Sequence, residues 1–95
     1  MKSTDFVADS LRRAVDAALA DDWDLAHQIA QDSSHTLANW LHAVLHKIEG
    51  DAWNSRYWYA RTDKKFEDFD DHRAELMAIA VELSKLNRQA PTTPL

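Results

Sequence analysis

Three observations predict an all-α fold for this 95-residue chain. The single glycine is at position 50 and both prolines fall in the last five residues, so helix breakers are nearly absent from residues 1–90. Alanine and leucine are frequent and β-branched residues sparse, which favours helix along the whole length. Apolar residues recur at three- and four-residue steps in five segments, the period of a helix with one buried face. A chain this short buries only about two-thirds of the surface its unfolded form exposes. One core is therefore expected, in a single domain over residues 1–90, with 91–95 as a flexible tail.

The first helix carries Val7, Leu11, Ala14, Val15, Ala18 and Leu19 on one face, with Ser3, Thr4 and Asp5 available to cap its first turn. Asp21 or Asp22 suits the cap of a second helix bearing Trp23, Ala26, Ile29 and Ala30. Ser33 or Ser34 is placed to cap a third, with Leu37, Leu41, Val44, Leu45 and Ile48 as its stripe. Gly50 ends that helix by taking the left-handed conformation, and Asp51 caps a fourth that holds Trp53, Tyr57, Trp58 and Ala60. So short a connection makes helices three and four an antiparallel hairpin. The fifth helix is expected from Thr62 or Asp63 to about Arg88, with Phe66, Phe69, Leu76, Ile79, Ala80, Leu83 and Leu86 facing inward.

Other classes recede on composition. Cysteine is absent, which removes disulfides, thiolate metal sites and thiol nucleophiles, and fits a reducing, cytoplasmic setting. MKSTDFVADS has no apolar run after its lysine, unlike a secretory signal, and no stretch approaches a membrane span. Sixteen acidic against eleven basic residues give a net charge of −5, which argues against nucleic acid as a partner.

The segments DDWDLAHQIAQ (21–31) and GDAWNSRYWYA (50–60) superpose, each with an acidic cap and a small residue four later, Ala26 or Ser55. Each follows an amphipathic helix. Over residues 4–61 this resembles the tetratricopeptide repeat, although the two units lie 29 residues apart against about 34 in that family. The resemblance implies two stacked antiparallel hairpins, which the long C-terminal helix closes into a five-helix bundle, since repeat hairpins need a cap. A second string, WLHAxLHxxEGDxxNxxYWYxR, resembles one shared by small bacterial proteins of uncharacterised function. It comprises Trp40, Leu41, His42, Ala43, Leu45, His46, Glu49, Gly50, Asp51, Asn54, Tyr57, Trp58, Tyr59 and Arg61, and the AH at Ala26 and His27 fits it too.

At about 100° per residue, His35, Asn39, His42, His46 and Glu49 fall within a sector of roughly 80°, away from the leucine face. They point to solvent, to a groove or to another helix. Histidines at i and i+4 can share one Zn²⁺ from a single helix face. This makes His42, His46 and Glu49 a candidate metal set, with His27 or His72 to complete it. Against a metalloprotease, position 43 is Ala, so the usual base is missing. The preferred expectation for this stretch is a structural polar cluster of Glu49, His46, Asn54 and His27 that fixes the hairpin angle. Glu49 opposes the negative helix end and needs a compensating group: His46, Arg56, Arg61 or the N–H groups of helix four.

Trp53, Tyr57, Trp58 and Tyr59 cannot share one face, so at least one lies on a second surface unless helix four is buried on both sides. Trp and Tyr carry hot spots where they are exposed, and Arg56 and Arg61 beside them suit an acidic peptide. The acidic run EDFDDH (67–72) lacks the glycine of a calcium loop and reads as a solvated helix start. No nucleophile constellation or phosphate-binding loop is present, which leans away from an enzyme. The reading preferred from sequence is a small helical protein-interaction module that binds a peptide or a second copy of itself. His27, His42, His46, Glu49, Asn54, Tyr57, Trp58 and Arg61 are its candidate binding residues. The alternative is a protein that binds a metal or small ligand on the His42/His46/Glu49 face.

Overall fold

The computed structural model describes the backbone of residues 3–89 and the side chains of residues 6–86. The cap expected from Ser3, Thr4 or Asp5 and the tail at 91–95 lie outside the described side chains and residues. Within these limits the chain is all-α: α1 Ser3–Leu19, α2 Trp23–Gln31, α3 Thr36–Ile48, α4 Ala52–Tyr59 and α5 His72–Gln89, with a short 3-10 turn at Phe66–Asp68. No helix among the described residues is long and apolar enough to cross a membrane.

Helices α1 and α2 form one hairpin and α3 and α4 another. Helix α2 packs on α3, and α5 lies across α1 and α3. Leu11 and Val15 of α1 meet Leu41, Val44 and Leu45 of α3 and Leu76, Ile79 and Leu83 of α5 in one continuous core. Ala26 and Ser55, the small residues of the two related segments, are both fully buried. Ser55 also donates from its hydroxyl to the Ala43 carbonyl at 2.7 Å, which brings α4 close against α3.

Both hairpins are closed in the same way. Gly50 is left-handed (φ 87°) as expected, and Asp21 takes the same conformation (φ 66°) at the matching position. After α3, the Asp51 N–H reaches the His46 carbonyl and the Gly50 N–H reaches Lys47. After α1, the Asp22 N–H reaches Ala17 and the Asp21 N–H reaches Ala18. This is the Schellman closure, which satisfies carbonyls left over at a helix end. Asp22 and Asp51 then cap the next helix by accepting from the Leu25 and Asn54 N–H groups.

Two expectations are corrected. Helix α3 is capped by His35, whose Nδ1 accepts from the Leu37 N–H at 3.0 Å, because the Ser33 hydroxyl is engaged one step earlier by the His35 N–H. Helix α5 begins at His72, about ten residues later than its apolar pattern suggested. The Thr62 hydroxyl ties the chain back to Tyr59 and Lys64 and ends helical continuity there. Asp71 caps α5 through the Ala74 N–H. Phe66 and Phe69 still pack on the core, but from an irregular segment.

Candidate functional site

Three imidazoles from two helices converge where α2 packs on α3. His42 and His46 occupy successive turns of α3, and His27 reaches them from α2. Ring centroids stand 4.6 Å apart for His27 and His42, 5.0 Å for His42 and His46, and 5.3 Å for His27 and His46. One ring nitrogen from each lies within 4.8 Å of the other two. Three such atoms fit within a sphere of about 2.8 Å radius, somewhat larger than a Zn–N bond of about 2.0–2.1 Å.

Tryptophans hold these rings in place. The Trp23 indole stacks on His27 (4.6 Å, 10° between planes) and Trp58 stacks on His42 (3.9 Å, 13°). Trp23 is itself pinned by its N–H, which donates to the Leu45 carbonyl at 2.6 Å. His42 is only 5% exposed, so its direction among solvent, groove and neighbouring helix is settled as the neighbouring helix. Glu49 Oε2 lies 2.7 Å from His46 Nδ1. An ionised carboxylate can only accept, so Nδ1 carries the proton and a neutral ring keeps the lone pair on Nε2.

The electrostatics favour neutral imidazoles. Burial pushes His42 down to about 4, and the neighbouring His27 and His46 add to the effect. Burial and then His46 also lower His27, against the opposing pull of Glu49 and Asp24. Ligation requires the neutral ring, which the lowering of both groups favours.

The other predicted residues separate into different places. Glu49 finds its compensation in His46, while Arg56 pairs with Glu67 and Arg61 lies on Tyr57. Asn54 does not join a cluster with Glu49; it donates to Asp51 at 2.6 Å. That contact, with the Asn54 N–H, holds the Asp51 carboxyl below its ordinary range. The four aromatics of α4 do divide between surfaces: Tyr59 is buried, Trp58 covers His42, and Trp53 and Tyr57 are exposed. His72 opens α5 and is not among the convergent groups. It lines a cavity of about 460 Å³ with Leu19, Trp23, Leu45, Arg73 and Leu76.

Sequence reasoning missed a second polar centre. Glu75 is fully buried. One oxygen accepts from the Trp40 indole at 2.8 Å and the Tyr59 hydroxyl at 2.6 Å, and the other from Lys47 at 2.9 Å. Lys47 also donates to the Phe69 carbonyl. Burial and the Glu75 contact raise the Tyr59 hydroxyl far above its ordinary range. No buried side-chain nitrogen or oxygen among the described residues is left without a partner, which marks a structural clasp. The available signal was spacing: Glu75 lies four residues before Ile79, on the inward stripe of α5. The chain matches no known family model, no curated protein and no solved structure.

Proposed function

We propose that this protein binds a divalent transition metal, with Zn²⁺ the best fit, through His27, His42 and His46. The observation that carries the reading is the convergence of three imidazoles backed by two indoles, with Glu49 on Nδ1 of His46. A carboxylate behind a ligating histidine fixes its tautomer and raises its basicity. Relative to the set expected from sequence, Glu49 orients a ligand and His27 takes the third position. Imidazole suits Zn²⁺, Cu²⁺ and Ni²⁺ better than Mg²⁺ or Ca²⁺. Three protein ligands leave a fourth position for water or an exogenous ligand.

Thermal melts of metal-stripped protein with and without Zn²⁺ test this, beside a His42→Gln/His46→Gln variant. Free metal at a hundred times its dissociation constant stabilises the native state by about 2.7 kcal/mol. For a domain of this size that raises the midpoint by roughly 10–20 °C. An unchanged midpoint, or an equal rise in the variant, sinks the proposal.

The exposed Trp53 and Tyr57 favour a second reading, a helical module that docks a protein. An acidic, leucine-containing peptide carrying a fluorophore provides the probe: its anisotropy should rise with the native protein and not with a Trp53→Ala/Arg61→Ala variant. Equal titrations would remove that reading.

A further inference from the structure

Trp53, Tyr57 and Arg61 follow one another at four-residue steps along the solvent side of α4 and the turn after it. Trp53 is 76% and Tyr57 44% exposed. Their rings are nearly parallel, 11° apart in plane and 6.2 Å between centroids. The Arg61 guanidinium lies 4.0 Å from the Tyr57 ring centre and donates to the Tyr57 hydroxyl at 2.7 Å. The ladder is thus ordered beforehand, so a partner meets side chains with little rotamer freedom left to lose. Among the described residues, Arg61 has no carboxylate within ion-pair distance.

Charge is divided along the chain. Residues 52–65 hold Arg56, Arg61, Lys64 and Lys65 against Asp63 alone, while residues 21–32 hold four aspartates and no lysine or arginine. Asp22, Asp24 and Leu25 are all exposed at the start of α2. They form an acidic edge with an apolar centre, complementary to the basic aromatic ledge on α4. Two copies meeting ledge to ledge would bring together two segments that each carry four basic residues against Asp63 alone, so the ledge does not neutralise itself.

We propose that the Trp53–Tyr57–Arg61 ledge docks the acidic Asp22–Asp24–Leu25 edge of a second copy of this chain, head to tail. The proposal extends the protein-docking reading and is independent of the metal site. A contact between two different surfaces leaves one of each free, so assembly continues past the dimer.

Sedimentation across a concentration series, in chelator to exclude metal, tests the proposal with two variants altered only at exposed positions. One is Trp53→Ala/Arg61→Ala and the other Asp24→Ala/Leu25→Ser. The unaltered chain is expected to assemble to dimers and beyond, more strongly at low salt. Each variant alone should stay monomeric, with association weakened at least about tenfold. Their equimolar mixture should form a one-to-one dimer that grows no further, since it contains one intact ledge and one intact edge. A monomeric unaltered chain overturns the proposal, as does self-association that either variant retains. Binding of the acidic peptide by a monomeric chain would overturn self-docking while leaving the docking reading standing.

Discussion

His42 ties stability to pH at the level of a single residue. In the unfolded chain its imidazole titrates near 6.5, and in the fold it is held down at about 4. Above pH 6.5 both states are neutral and nothing is lost. Between pH 6.5 and 4 the unfolded state takes up a proton that the folded state refuses, so stability falls as pH falls. A shift of this size corresponds to about 3 kcal/mol, with His27 acting in the same direction. Denaturant unfolding at pH 7 and pH 4.5 should show this loss, and His42→Gln should reduce it; an equal loss in the variant would place its origin elsewhere. Glu49 acts through His46, so Glu49→Gln is expected to weaken metal affinity by about 10–100-fold without removing a ligand. A metal titration of that variant checks it, and an unchanged affinity would show that the carboxylate does not tune the site. The imidazole pair on α3 was legible from i, i+4 spacing alone. The third member was named only as one of two options, because which helix packs on α3 is a tertiary fact.

The two hairpin closures make a comparison within one molecule at the level of elements. Both need a left-handed residue, and one uses Gly50 while the other uses Asp21. Left-handed backbone costs an L-residue roughly 1–2 kcal/mol, somewhat less for Asp. Asp21→Gly should therefore stabilise the protein by up to about 1 kcal/mol, and Gly50→Ala should destabilise it by about 1 kcal/mol. A β-carbon at Gly50 would meet nothing within 4 Å, so the second effect is a backbone effect alone. Urea midpoints of the two variants check both signs, and a neutral Gly50→Ala would contradict the account. The caps at Asp22 and Asp51 were legible because an acidic residue sits just before each apolar pattern. The start of α5 was not, since Phe66 and Phe69 have helical spacing yet reach the core from irregular backbone. Periodicity records which side chains face inward, and a 3-10 turn can satisfy it as well as a helix.

Glu75 binds the molecule together, joining α5 to both helices of the second hairpin through Trp40, Lys47 and Tyr59. Removing one member of a buried ion pair leaves the other charge unmatched, at about 3–5 kcal/mol. Lys47→Met or Glu75→Gln alone should cost this much. Together they should cost less than the sum, because the double variant leaves neither charge buried without its partner. Strict additivity in that double-mutant cycle would show that the pair is not coupled. The all-α class was legible from composition and period, whereas this clasp was hidden because an acidic residue on a helix normally points to solvent. The histidine cluster also depends on the whole assembly, since α2, α3 and α4 each contribute a ring or its backing. Metal binding is tested most directly by titration of metal-stripped protein with Co²⁺, followed by visible absorption. One ion per chain is expected, with the strong ligand-field bands of four-coordinate cobalt, displacement by Zn²⁺, and loss of the bands in His27→Gln or His42→Gln variants that remain folded. Failure to bind, or binding that survives both substitutions unchanged, would contradict it.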